Sequence, residues 1–241
     1  VKISVIIPAY NEEKLIAETL GHVRAATTAF EHLGWEAEVI VCDNNSSDRT
    51  AEIARGVGAT VVFEPINQIS RARNAGAAAA TGDWLIFVDA DSHPSAGLFG
   101  DVARAIQSGR ILAGGSTVAI AERYPVARLT VGAWNLLSRF RRWAAGSFIF
   151  CEAKAFRAIG GFSRELFVSE EIDLSKRLKA HARERGMRMT ILHRNPIVTS
   201  VRKMHLYTPR EHLAFLGKLF WQRGKPMRSR EECAIWYDGR R

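Results

Sequence analysis

The chain has 241 residues, 47% of them hydrophobic, enough for one α/β domain with a full core or one such domain with an extension. Its 34 Lys plus Arg against 25 Asp plus Glu give a formal charge of +9, which favours anionic partners: nucleotide phosphates, nucleic acid or an acidic membrane surface. The three cysteines, Cys42, Cys151 and Cys233, are far apart with no Cys-x-x-Cys, which argues against a zinc site or disulfide framework, and no apolar run of about 18 residues suggests a membrane-spanning helix.

Val1 opens directly on a strand-like run without a basic n-region, so the expectation is no signal peptide and a reducing, cytoplasmic setting. Lys2 to Pro8 is short, apolar and rich in β-branched residues. Asn11 is the expected cap of a helix from Glu12 to about Leu33, whose Ile16, Leu20, Val23, Thr27 and Phe30 recur at helical spacing. Gly34 stops it. Strand signals return at Glu38 to Cys42, Thr60 to Glu64 and Trp84 to Val88. Helix signals fall between them at Thr50 to Arg55 and Ser70 to Ala80. This alternation, with continuously apolar strands, predicts an α/β fold with a mainly parallel sheet covered on both faces. Cys42 and Cys151 fall in apolar strand-like runs and are expected to be inert core thiols.

The second half is less regular. Ile111 to Ala121 and Ser147 to Cys151 read as strands, Pro125 to Ala145 as a helix, and Gly160-Gly161-Phe162 as a tight turn. A helix is expected from Glu170 to Arg185, ended by Gly186. Strand-like runs follow at Met187 to Leu192 and Ile197 to Val201, then an amphipathic helix through Leu213 to Phe220 and a basic tail.

The Trp84 to Val88 strand ends abruptly in Asp89-Ala90-Asp91. Carboxylates at the end of a buried strand cost free energy unless compensated, and a divalent cation is a natural compensator. Mg²⁺ or Mn²⁺ held by such a pair can in turn hold a diphosphate. The competing reading is a pair of acids capping a helix that starts near Pro94. Ligands of parallel α/β sheets gather at the carboxyl ends of strands, and Asp43 lies at such an end too.

Four stretches in order carry a resemblance: Ile6-Ile7-Pro8-Ala9-Tyr10-Asn11-Glu12-Glu13, Val39 through Asp48, Arg71-Ala72-Arg73-Asn74-Ala75-Gly76, and Asp89-Ala90-Asp91. Together they resemble the nucleotide-sugar domain of family 2 glycosyltransferases. Gly160-Gly161-Phe162 and Glu170-Glu171-Ile172-Asp173-Leu174 extend the likeness to about residue 180. The resemblance implies a GT-A fold, with residues 1–95 as a Rossmann-like nucleotide-sugar half, 96–205 as an acceptor half of the same domain, and 206–241 as a basic helical extension. It implies an inverting, metal-dependent hexosyltransferase that uses a nucleoside-diphosphate sugar, by default UDP-linked, with Mg²⁺ or Mn²⁺. The acceptor would be a glycan, a lipid-linked saccharide or a small molecule; the basic tail, not the resemblance, favours peripheral contact with the inner, acidic membrane face.

The implied roles fall on named residues. Pro8 and Tyr10 would wall the base pocket. Asp43 would read the base edge, or form an Asx turn in its Asn/Ser/Asp cluster. Glu12 would line the base or ribose pocket, or serve as a first-turn helix acid. Arg73, with Arg71 in reserve, would contact diphosphate or ribose. Asp91 would hold the metal, with Asp89 on ribose or metal and His205 as a further metal ligand. The base that deprotonates the acceptor hydroxyl would be Glu171, with Asp173 in reserve. The family's acid pair is Glu-Asp, whereas this chain has Glu170-Glu171, so a nucleotide-sugar binder with altered catalysis is the alternative. Arg139 stands where the Gln-x-x-Arg-Trp signature of processive synthases has Gln, although Arg142-Trp143 is present, so a polymer synthase is not expected. The Arg and aromatic cluster from Trp134 to Trp143 suits an acceptor pocket, a membrane contact or a core-facing helix with a basic outer side. A basic nucleic-acid-binding module is a further, less favoured alternative, because no binding motif accompanies the charge. A dinucleotide oxidoreductase is set aside because Pro8-Ala9-Tyr10-Asn11 lacks the glycines of G-x-G-x-x-G.

Overall fold

The computed structural model describes residues 1–120 and 125–200, without the side chains of 125–127. In chain order the elements are β1 (Lys2–Ala9), α1 (Ile16–Glu31), β2 (Glu36–Asp43), α2 (Thr50–Gly56), β3 (Thr60–Phe63), α3 (Ile69–Ala79), β4 (Trp84–Val88) and β5 (Ser92–His93). They continue with α4 (Ala96–Gln107), β6 (Ile111–Ile120), α5 (Pro125–Arg141), β7 (Phe148–Glu152), α6 (Ala153–Ala158), α7 (Glu170–Glu184) and β8 (Arg188–Thr199). The strands form one sheet in the order β3-β2-β1-β4-β7-β6-β8-β5. Pairs β1/β2, β1/β4, β2/β3 and β6/β8 are parallel, whereas β7 runs antiparallel to both β4 and β6 and β5 antiparallel to β8.

Strand alternation divides the core between the two faces of the sheet. Ile3, Val5 and Ile7 of β1 and Ile86 of β4 pack with Val23 and Phe30 of α1 and Phe99 of α4. Ile6 of β1 and Leu85 and Phe87 of β4 face the other way, onto Ala77 of α3, Phe156 of α6 and Leu174 and Leu178 of α7. A fully buried Phe such as Phe30 contributes about 2–3 kcal/mol through the hydrophobic effect. Contact between α3 and β1 requires Gly76, where a Cβ would lie 2.5 Å from Cγ2 of Ile6. Cys42 and Cys151 are buried as expected, and burial, aided by Glu64 and Asp43, pushes the Cys42 thiol up to about 12.

Several local expectations are corrected. Asn11 is not the cap of α1. It adopts a left-handed φ of 52° and its Oδ1 accepts from the Ser47 amide at 2.8 Å, so it joins two loops and the helix begins later, at Ile16. The acids of Asp89-Ala90-Asp91 do not cap the next helix: Ser95 does, its Oγ accepting from the Leu98 amide at 3.2 Å. The two strands expected after Gly186 are one strand, β8, whose register against β6 shifts between the Ser116–Leu192 and Val118–Ile197 pairs. Pro196 lies in that shift, where the missing N–H is tolerated. The Leu213 to Phe220 helix and the extension from 206 lie outside the described residues.

Candidate functional site

A cleft of about 540 Å³ opens at the carboxyl ends of β1 and β4, within the range of small-molecule sites. Pro8, Ala9, Tyr10 and Glu12 come from the end of β1, and Asn44 follows β2. Ile69 and Arg73 come from α3, Asp89 to Asp91 from the end of β4, and Trp134 from α5. Residues 145–147, 167–172, Thr199 and Ser200 close the other side.

The Asp89-Ala90-Asp91 loop is fastened from three directions. Thr19 Oγ1 of α1 donates to the Ala90 carbonyl at 2.7 Å, Ser92 N donates to the Asp89 carbonyl at 3.0 Å, and Ser200 Oγ donates to Asp91 Oδ2 at 3.0 Å.

Beneath it lies Arg73, only 1% exposed. Its Nη1 donates to Glu170 Oε1 at 2.7 Å, and its Nη2 to Asp89 Oδ1 at 2.8 Å and to the Gly146 carbonyl at 3.0 Å. Its Cζ lies 5.1 Å from the centre of the Phe162 ring. Burial opposes the charge, but Asp89, Glu170 and Glu171 outweigh it and hold the guanidinium above its ordinary value. The sequence suggests Arg73 for contact with diphosphate or ribose; it lines the cleft, and its two Nη groups also bond protein carboxylates, so it joins the D-A-D loop to the start of α7. Arg71 bonds Gln68 Oε1 through Nε at 3.1 Å. Asn74, beside Arg73 on α3, accepts from the Phe162 amide and donates to the Phe162 carbonyl, both at 2.9 Å. That pair of bonds holds the Gly160-Gly161-Phe162 turn, whose glycines have φ of 79° and 69°.

Ser169, in a left-handed conformation with φ 64°, turns the chain into α7 and delivers Glu170 and Glu171 to the cleft wall. Glu170 is buried against Arg73. Glu171 is half-buried at the wall yet crowded by protein on its other sides. Burial, then the neighbouring Glu170 carboxylate, raises Glu171 to about 8, with Arg73 opposing; burial also raises Glu170. Asp173 points elsewhere. It pairs with Arg177 at 2.6 Å, and Arg177 also holds the carbonyls of Ile159 and Gly161.

The remaining sequence candidates divide. Pro8, Tyr10, Glu12, Asp89 and Asp91 line the cleft together with Glu171. Asp43 is buried beside it and its Oδ1 accepts from the Ser46 amide at 3.1 Å, an Asx-type turn. His205 lies outside the described residues. Ser200 on Asp91 and the Arg73–Glu170 pair belong to the site without any mark in the sequence. No local pattern marks that pair, whose members are 97 residues apart.

The electrostatics of the cleft oppose those of the chain. Among the described residues its walls carry the carboxylates of Glu12, Asp89, Asp91, Glu170 and Glu171 against the single guanidinium of Arg73. An anionic ligand entering such a cleft needs a cation beside it. Asp89 and Asp91 fit a hard ion: each has one oxygen hydrogen-bonded, by Arg73 and Ser200 respectively, leaving the other for coordination. Among the described residues no third His, Cys, Asp or Glu joins them in a ligand cluster, so further ligands would come from a substrate or water, the usual pattern for Mg²⁺.

Comparisons with known proteins agree with this picture. Residues 4–157 match the family described as glycosyl transferase family 2. An uncharacterized glycosyltransferase of Mycobacterium tuberculosis is 36% identical over 143 residues, covering 58% of this chain and 61% of that protein. A Mycobacterium bovis counterpart matches to the same extent. The chain thus spans about three fifths of the length of the curated relatives it matches. The crystal structure of S. aureus TarS 1–349 in complex with UDP-GlcNAc superposes with a TM-score of 0.64 at 22% identity, covering 83% of this chain and 58% of that one. Glucosyl-3-phosphoglycerate synthase from Mycobacterium tuberculosis, in complex with Mn²⁺, UDP and phosphoglyceric acid, superposes with a TM-score of 0.59 at 19% identity, covering 90% and 75%. At these identities the likeness establishes the shared fold, the GT-A arrangement of a mostly parallel sheet between helices.

Proposed function

The chain belongs to glycosyl transferase family 2, and from that premise we propose that its cleft transfers a sugar from a UDP-sugar to an acceptor hydroxyl with inversion at the anomeric carbon. The observation that carries this reading is the acidic cleft itself: a carboxylate pair suited to a hard cation facing, across one cavity, a carboxylate whose proton affinity is raised into the working range. Asp91 and Asp89 would hold Mg²⁺ or Mn²⁺, which when bound offsets the charge that builds on the departing diphosphate. Pro8, Tyr10 and Glu12 would surround the base and ribose, with Asp43 acting from behind through the turn it closes.

Glu171 is the general base. The acceptor oxygen attacks the anomeric carbon as the bond to the diphosphate oxygen breaks, and the acceptor proton passes to a Glu171 carboxylate oxygen. Glu171 has one methylene more than Asp and lies at the wall, whereas Asp173 is held by Arg177, which favours Glu171 for this role. The complexes of TarS with UDP-GlcNAc and of the phosphoglycerate synthase with UDP and Mn²⁺ support UDP as the donor nucleotide by analogy.

For the acceptor we favour a lipid-linked saccharide. Helix α5 places Trp134 in the cleft while exposing Leu129 (77%), Leu136 (72%) and Phe140 (82%) beside Arg139 and Arg141. Apolar residues flanked by arginines suit the surface of an acidic bilayer. No helix among the described residues is long and apolar enough to cross a membrane.

The test is a thermal-shift panel of nucleoside diphosphates with and without Mn²⁺. UDP should raise Tm strongly only with Mn²⁺, and Asp91→Ala should abolish that dependence. An undiminished metal-dependent shift in Asp91→Ala would place the cation elsewhere.

A further inference from the structure

A second cluster of metal-ligating groups lies outside the cleft. Glu18 and His22 sit one turn apart on the exposed side of α1, and His93 reaches them from β5. The rings of His22 and His93 stack with centroids 4.3 Å apart and planes inclined by 14°. Glu18 Oε1 lies 3.9 Å from Nε2 of each ring. One ligand atom from each of the three residues falls within 4.8 Å of the others. None of the three lines the cleft.

We propose that Glu18, His22 and His93 form a transition-metal site of the zinc class, separate from the carboxylate pair of the cleft. The three ligand atoms are near enough to share one ion: a point equidistant from atoms at these spacings lies roughly 2.5 Å or less from each. Because a bound metal lies in the plane of each imidazole, ligation requires the two rings to turn out of their stacked, near-parallel arrangement so that each aims a nitrogen at the ion at ~2.0–2.2 Å. The donor set separates the two sites chemically. Two imidazoles and one carboxylate favour Zn²⁺, Co²⁺, Ni²⁺ or Cu²⁺, whereas an all-oxygen pair favours Mg²⁺ or Mn²⁺. The exposure of Glu18 and His22 leaves room for water as a fourth ligand. Paired His and Glu residues at i and i+4 on a helix already share one face, so only His93 must be brought in by the fold.

Position gives the site a consequence. His93 lies two residues beyond Asp91, and Thr19, next to Glu18 on α1, donates to the Ala90 carbonyl. An ion bridging α1 and β5 would therefore tie down the segment carrying Asp89 and Asp91 from outside the cleft lining. The site stands on its own geometry and does not depend on the transferase reading.

The experiment is a Zn²⁺ titration of the full chain by calorimetry and thermal shift, repeated with Co²⁺ to follow its visible absorption. The wild type should show a saturable Zn²⁺-dependent rise in Tm and a Co²⁺ spectrum characteristic of nitrogen ligation. Both should weaken at least tenfold in His22→Gln and in Glu18→Gln, two exposed positions, and persist in Asp91→Asn. No rise in the wild type, or equal Zn²⁺ affinity in His22→Gln, overturns the proposal; so does a loss confined to Asp91→Asn, which would place Zn²⁺ in the cleft.

Discussion

Arg73 and Glu171 decide what the cleft can do. Arg73 is the guanidinium between Asp89 and Glu170, so removing it leaves two carboxylates without their counter-charge in a largely dry setting. Breaking a buried pair in this way costs about 3–5 kcal/mol. Arg73→Met should lower the urea-unfolding free energy by about that amount. Arg73→Lys should recover only part of it, because one ammonium cannot reproduce the planar fork that reaches Glu170, Asp89 and the Gly146 carbonyl. A stability loss below ~1 kcal/mol in Arg73→Met would show that the network is not structural. Glu171 makes a prediction about pH. Its carboxyl is raised to about 8, so its basic form becomes scarce below that pH. The kcat/KM should therefore climb with pH and level off above about 8. Linkage has the opposite sign. Between the ordinary carboxylate range and about 8 the folded protein holds a proton that the unfolded chain has lost, so stability falls as pH rises through that window. Glu171→Gln should flatten that fall, and an unchanged slope would contradict the assignment.

At the scale of elements, α5 is the part of the fold whose outer face is least explained by packing. Leu129, Leu136 and Phe140 recur at helical spacing on its exposed side, flanked by arginines. Phosphatidylglycerol vesicles should pull the protein down in co-sedimentation at low salt, and Leu136→Glu with Phe140→Glu should reduce the bound fraction at least fivefold. Binding that is unchanged by the pair of substitutions would remove α5 from the membrane account. The elements also show what a sequence discloses. The periods of β1, β2, β4 and α1 are visible because each buries one face or two against the same core. The glycines at 34, 160, 161 and 186 mark turns because each has positive φ. The joint at Pro196 was hidden because the expected break is a shift within one strand rather than a loop. Asn11 misled because the chemistry that caps a helix also joins two loops. In the site, Asp89, Asp91 and Glu171 were legible from their place after a strand or at a helix start. The partners of Arg73 were not, since a buried ion pair across 97 residues leaves no trace in local spacing.

At the scale of the whole molecule, two opposed charge distributions coexist. The chain carries +9, whereas the cleft walls are acidic. The chain's net positive charge favours anionic partners, and the acidic cleft walls are the feature on which the proposed need for a cation beside a diphosphate rests. The single sheet makes this arrangement rigid. Strand β7 pairs with both β4 and β6, so the strand that ends in the D-A-D loop is joined to β6 by one continuous ladder. Thr199 and Ser200, at the end of β8, complete the wall beside Asp91. The central claim is that this scaffold places a general base opposite a metal-held donor. It is tested most directly by measuring UDP binding with Mn²⁺ and sugar turnover in parallel on Glu171→Gln. The account predicts UDP affinity within about threefold of wild type and turnover reduced by about 10²–10⁴-fold, the usual contribution of a general base. Turnover within tenfold of wild type above pH 8, where Glu171 of the wild type is in its basic form, would contradict it.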